Sequence, residues 1–288
     1  MMSRRRQLAE ILILALAILL TAVVFARVIP FFLPQAFTDW KMVFYLAGQR
    51  PWQIYEAGTW QHAYNNAPWL AWFLVPFALF STATGLALWL TLSILVTIWG
   101  LKRDGADLFT MLLVLCSPGF YRLVVHGQVD AFIYFGFVLL QETSLWRRQM
   151  GLLLMAMKPQ VLGLGALVHL VHSPQRWQII APTAVLTILT FVFYGFWPIH
   201  IVQNSQWVLD AFFNISPWPY GIPVGLLLLG IGLWQNNERL GALATLFLTP
   251  YVATHSLFPY TAVLMPMLPK KWQILLFILL WAMTVTIS

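Results

Sequence analysis

Seven widely spaced residues have side chains that could do chemistry together: Asp39, Arg122, His126, Gln128, Asp130, Lys158 and His255. A carboxylate such as Asp39 can take a proton from a hydroxyl or orient it. Arg122 and His126 lie just before Gln128 and Asp130, and together they could hold a phosphate. Lys158 precedes Pro159 and lies about one short helix beyond Arg147-Arg148. A deep ammonium needs a partner, and Asp130 or a lipid phosphate would serve. His255, in Thr254-His255-Ser256, could bind a phosphate or orient an acceptor. Each residue also has a plainer reading. Asp39 could cap a helix over Trp40–Gly48. Asp130 could complement a helix dipole, and Arg122 could snorkel to an interface. Lys158 could stay with the basic charge near a membrane surface, and His255 could be an ordinary polar turn residue. Glu56 is the only other acid near Asp39 and is expected to face water.

Other chemistries lack their residues. Metal-ligand spacing of Cys and His is absent; His169 and His172 share a helical face with no acid near them in sequence, so no metal site is expected. No glycine-rich nucleotide loop and no nucleophile elbow occurs. The single cysteine, Cys116, excludes an internal disulfide.

The elements that must position these residues are membrane elements. Of the 288 residues, 60% are hydrophobic and 9% charged, and mean hydropathy is +0.78. Soluble domains carry about 25% charged residues, so this chain has too little polar surface to cover a soluble globule. The net charge of +7 is spread in short clusters between apolar runs, which argues against nucleic acid and follows the positive-inside rule.

Arg4, Arg5 and Arg6 place the N-terminus inside, and Leu8–Val28 reads as an uncleaved first span. Residues 29–67 form a first outside loop whose pieces Trp40–Gly48 and Trp52–Tyr64 suit interfacial helices. Pro68–Phe80 is too short to cross unaided, whereas Ala83–Leu101 is long enough. Leu108–Cys116, Val129–Leu140, Met150–Met157 and Gln160–Val171 are short apolar segments separated by Pro, Gly and charge. Irregular backbone at membrane depth must be buried in protein or line a polar cavity. Ile179–Trp197, Tyr220–Trp234, Leu240–Thr254, Leu257–Leu268 and Trp272–Ile287 read as crossings. Residues 198–219 read as a second outside loop with an amphipathic middle, Ile201–Phe213. Lys102, Arg103, Arg147, Arg148, Arg176, Arg239, Lys270 and Lys271 then join the N-terminal arginines inside. The expected fold is all-α: one polytopic integral-membrane helical bundle over 1–288, with about eight to eleven membrane segments, some broken or re-entrant. Asp39, His255 and the Arg122–Asp130 region are expected to converge on one outer-facing cavity.

The order of these features resembles the GT-C superfamily of integral-membrane glycosyltransferases, and within it glycosyltransferase family 87, the polyprenol-phosphate-mannose-dependent mannosyltransferases. The resembling pieces are Asp39, the run Tyr64 to Pro76 (YNNAPWLAWFLVP), Gly127-Gln128-Val129-Asp130, Gly151 to Gln160 (GLLLMAMKPQ), and Thr249 to Pro266 (TPYVATHSLFPYTAVLMP). The resemblance implies a GT-C-like bundle with the active site on the extracytoplasmic face of a bacterial or archaeal plasma membrane. It implies Asp39 as catalytic base. It also implies an inverting transfer of a mannose-like hexose or a pentose from a polyprenyl-phosphate sugar to a lipid or glycan acceptor. Arg122, His126, Gln128, Asp130, Lys158 and His255 would bind donor phosphate or substrate. No cofactor is expected beyond the lipid-linked donor; the expected partners are membrane lipids, donor and acceptor. Competing classes are a lipid or small-solute transporter or flippase, a non-enzymatic assembly subunit, and an inactive homologue of the same fold. A transporter often shows paired inverted repeats, and none is visible.

Overall fold

The computed structural model describes residues 16, 18–30, 33, 36–55, 64–209 and 214–287. Arg4, Arg5, Arg6 and Glu56, the first part of Leu8–Val28, and the parts of Trp52–Tyr64 and Ile201–Phe213 within 56–63 and 210–213 lie outside the described residues.

The described chain is all-helical. Ile18–Pro30 (α1) is followed by a π-helical turn, Trp40–Phe44, that runs on into Tyr45–Gln49 (α2). Then come Pro68–Ala78 (α3), Thr82–Arg103 (α4), Leu108–Leu115 (α5), Pro118–His126 (α6), Asp130–Leu140 (α7) and Leu145–Met155 (α8). The second half comprises Gly163–His172 (α9), Arg176–Tyr194 (α10), Pro198–Leu209 (α11), Ile222–Gln235 (α12), Glu238–Leu248 (α13), Leu257–Leu264 (α14) and Lys270–Ile287 (α15). Among the described residues there is no strand, only an isolated antiparallel bridge between Asn214 and Ala253.

By length and composition α4 and α10 can cross a membrane, and α5 with α6 forms a third candidate bent by 53°. A span needs about 20 apolar residues. Among the described residues most of the other helices are about half that length. The expected crossing Leu240–Thr254 stops at Leu248 because Pro250 forces the residue before it out of the helical region; Thr249 is extended, at φ −98° and ψ 127°. Leu257–Leu268 is helical only to Leu264, and a 3-10 turn, Met265–Met267, carries Pro266. Tyr220–Trp234 begins later, at Ile222, and Asn236 ends it in the left-handed region. The described part of Trp52–Tyr64 is a 3-10 turn, Pro51–Gln53, and not a longer helix.

Local chemistry sets the helix boundaries. Ser81, Asp107 and Ser117 each accept a backbone N–H at the start of α4, α5 and α6, and Pro118 occupies the first position of α6. Lys102 and Arg103 close the last turn of α4, where the dipole favours cations. The core is a continuous apolar layer in which Trp40, Trp89, Phe132 and Phe137 are almost fully buried. The central hairpin is α7 against α8. A Cβ on Gly136 would lie 2.7 Å from the Gly151 carbonyl oxygen, and one on Gly151 would lie 2.6 Å from that of Gly136. Glycine at both positions lets the two backbones touch. That contact fixes Asp130 and Lys158 at one end of the hairpin and Glu142 and Arg147 at the other.

Candidate active site

Asp39 lies in the first turn of the helical segment that begins at Thr38, with helical φ −63° and ψ −37°, and its side chain caps nothing. The N-cap reading therefore fails, because the carboxylate is turned toward α6 instead. Gln128 donates its Nε2–H to Asp39 Oδ2 at 2.5 Å, and His126 Nδ1 lies 3.5 Å from the same oxygen. A third of the Asp39 side chain is exposed.

Two backbone features hold these groups together. Phe37, fully buried, adopts φ 62°, and its N–H donates to the Val125 carbonyl at 2.6 Å. A bulky residue in the left-handed region persists only where packing over-determines it. Gly127 ends α6 at φ 69°, and a Cβ there would lie 2.8 Å from Trp40 Cβ. Trp89 Nε1 donates to the Gly127 carbonyl at 3.0 Å. The chain thus reverses between His126 and Gln128, and both side chains meet one carboxylate.

Behind this mouth lies a buried ion pair. Lys158 Nζ donates to both oxygens of Asp130 at 3.0 Å, to Ser256 Oγ at 3.2 Å, and to His255 Nε2 at 3.3 Å. Ser256 Oγ donates to Asp130 Oδ1 at 3.2 Å. The side chains of Asp130 and Lys158 are 0% and 8% exposed, so the reading of Lys158 as part of the surface charge is overturned. An ammonium only donates, so His255 Nε2 accepts and the ring proton sits on Nδ1. Burial, with the Lys158 ammonium and His126 nearby, holds the His255 imidazole well below its usual pKa and neutral. The rings of His126 and His255 are 6.0 Å apart and join the mouth to the buried pair.

Six of the seven sequence candidates thus fall into two connected groups, Asp39 with His126 and Gln128, and Asp130 with Lys158 and His255. Arg122 lies one turn before His126 on the same side of α6, within electrostatic reach of it. It is half-buried and has no hydrogen-bond or ion-pair partner among the described residues. The Lys158 donors, by contrast, are all engaged by Asp130, Ser256 and His255.

Two members were not singled out from the sequence. Ser256 completes the Lys158 shell. Tyr251 lies near enough to Asp39 and Asp130 that burial, and then those carboxylates, push its phenol pKa up and keep it protonated. A signal existed in the hydroxyl residues flanking His255, but such residues are common in turns. Another expectation is corrected away from this site. His169 does have an acid beside it, since Glu238 at the start of α13 comes within 3.1 Å of its Nδ1. The acid is distant in sequence and near only because α9 packs on α13. Among the described residues no cluster of His, Cys, Asp and Glu could hold a metal ion.

The arrangement can remove a proton at Asp39, hold an anion at Arg122 and His126, and keep both groups in place through a neutral buried assembly. No family model matches the chain, and no curated protein and no solved structure is significantly similar to it.

Proposed function

We propose that the protein is a membrane glycosyltransferase that takes its sugar from a polyprenyl-phosphate donor, with Asp39 as the base. The observation that carries this reading is the contrast in the cluster. Asp39 is partly open, accepts from Gln128 and has His126 Nδ1 3.5 Å away, while Arg122, a cation with no ion-pair partner among the described residues, stands one turn from His126. Such a reaction needs little else. A polyprenyl phosphate is already a leaving group, so the protein must position an acceptor hydroxyl, accept its proton and stabilise phosphate charge.

In the proposed step Asp39 takes the acceptor proton and the acceptor oxygen forms a bond to the anomeric carbon. The bond from that carbon to the phosphate oxygen breaks, and the electron pair leaves with the polyprenyl phosphate. A single in-line displacement inverts the anomeric centre. Gln128 orients Asp39. Arg122 and His126 face the donor phosphate, and His255 lies between that anion and the buried pair. Asp130 and Lys158 stand behind His255 as a buried neutral pair, because the Lys158 donors are already satisfied within the protein. The site faces the extracytoplasmic side of a plasma membrane in this reading. In this reading α6, α7 and α8 are partial spans that each begin or end at the site, among the eight to eleven segments that the apolar runs suggest.

The test is transfer from labelled polyprenyl-phosphate sugars in membranes, wild type against Asp39→Asn. Equal turnover in the two would remove Asp39 as the base. A transporter is the competing reading, and the observation favouring it is the buried Lys158–Asp130 pair where several short helices end. Uptake of the intact lipid-linked sugar without any cleaved phosphate would support it over transfer.

A further inference from the structure

Residues 249–253 link α13 to the 3-10 turn Thr254–Ser256, and they pass the site without being helical. Val252 and Ala253 are buried, and buried irregular backbone must find partners for its N–H and C=O groups. Here the partners come from one short segment just before α12. Asn214 Nδ2 donates to the Pro250 carbonyl at 3.0 Å, and its Oδ1 accepts from Val252 N at 3.1 Å and from Ser216 N at 3.1 Å. Ile215 N donates to the Val252 carbonyl at 2.9 Å, and Ser216 Oγ donates to the Thr249 carbonyl. The Asn214–Ala253 bridge completes the strap.

The consequence lies on the other side of the strapped chain. Tyr251 lies within electrostatic reach of Asp39 and Asp130, and His255 and Ser256 bond Lys158. Asparagine suits position 214 because one side chain offers both a donor and an acceptor, which this pattern requires. We propose that Asn214 is a positioning residue whose bonds to Pro250, Val252 and Ser216 hold Thr249–Ala253 extended, so that Tyr251, His255 and Ser256 enter the cluster around Asp39 and Lys158. It touches no substrate. The turnover part of the proposal rests on the transferase reading; the positioning part does not.

The test uses full-length protein in lipid nanodiscs with Asn214→Ala, Asn214→Asp and Ser216→Ala. Three readouts are taken: hydrogen exchange of the Val252 and Ser256 amides, carbethoxylation of His255 by diethyl pyrocarbonate followed by peptide mass spectrometry, and sugar transfer. In Asn214→Ala we expect exchange and His255 modification to rise about tenfold, and kcat to fall about as much while donor KM holds within about twofold. Asn214→Asp keeps both acceptor bonds and loses the donor to Pro250, so it should lie between wild type and Asn214→Ala in all three. Ser216→Ala, which removes a single bond to the 249–253 segment along with the one accepted from Trp218 N, should change each readout less than Asn214→Ala. Unchanged exchange and unchanged His255 modification in Asn214→Ala would overturn the proposal. If that variant does not fold, Asn214→Asp with wild-type exchange and wild-type kcat overturns it. If wild type transfers no sugar, the transferase reading fails, and exchange and His255 modification still decide the role of Asn214.

Discussion

The two ends of the α7–α8 hairpin carry the same kinds of charge in opposite settings. Asp130 and Glu142 are separated by about 18 Å along α7 at 1.5 Å per residue. At the Glu142 end, Glu142 accepts from Arg103 and from Arg147 and Asp107 pairs with Lys270, while Asp104, buried apart from these, pairs with Arg239 and accepts from the Tyr134 hydroxyl. Arg103, Arg147 and Lys270 are 50%, 38% and 51% exposed, so water already solvates them. At the Asp130 end one acid and one ammonium share a dry site with a neutral histidine and a serine. Pairs of the first kind contribute little stability, whereas a pair of the second kind is dangerous to break. The difference separates charge that keeps a helix end at a surface from charge that fixes a site.

The largest expected effect breaks the buried pair on one side only. Lys158→Met leaves Asp130 without its counter-charge and should destabilise the protein by about 3–5 kcal/mol. Adding Asp130→Leu to it should recover much of that loss, because replacing both charges by apolar groups is often close to neutral. Thermal unfolding in nanodiscs checks both, and a Lys158→Met protein as stable as wild type would end the distinction between the two ends. Next comes Asp39→Asn. It should lower sugar transfer by about 10²–10⁴-fold, the usual share of a general base. Its melting temperature should stay near that of wild type, because the side chain is partly exposed and an amide oxygen still accepts from Gln128.

The parts of this picture that were legible in the sequence are those encoded locally. The break at Ser117-Pro118, the length of α4, and the end of α8 before Lys158-Pro159 follow from caps and prolines and appear where expected. The distance of Lys158 beyond Arg147 made depth one of two readings, and the structure buries it. What the sequence hid was long-range. Glu238 meets His169 across 69 positions, and Asn214 meets Pro250 across 36. Phe37 and Leu162 adopt left-handed conformations that no glycine signals. The run Leu240–Thr254 looked continuous because hydropathy does not register that Pro250 and a strap of side-chain hydrogen bonds replace helix with extended chain. Asp39 as a cap was the plainer of two local readings, and it gave way to Gln128, a partner 89 residues away.

The acid response should also differ between the ends. His255 has a folded-state pKa below its ordinary 6.5, so the unfolded chain binds the proton more readily. Stability from this group is complete above that ordinary value and is lost as pH falls toward the folded one. Wild type should therefore lose stability on acidification below about pH 6.5. His255→Gln, which still offers Lys158 an acceptor but does not titrate, should flatten that part of the curve. An unchanged slope in His255→Gln, measured by melting temperature against pH, would place the titrating group elsewhere.

The smallest effect is at the surface end. Arg103→Ala removes the Nε donor to Glu142 at 2.7 Å and a guanidinium 5.7 Å from the centre of the Trp99 ring. Arg147 stays on Glu142 at 3.2 Å, so no carboxylate is stranded. The expected cost is about 0.2–1 kcal/mol, and it should shrink in high salt, which screens exposed pairs but not the Lys158 site. The arginines hold the Glu142 carboxyl below its ordinary pKa of 4.5, with Arg103 the main cause. This contribution is therefore present above that value and disappears as pH falls through the lower folded-state value. Melting curves of Arg103→Ala and wild type should converge both in strong salt and in acid. If they stay apart in salt by as much as Lys158→Met differs from wild type, the Glu142 end is as dry as the Asp130 end, and the hairpin carries two buried sites.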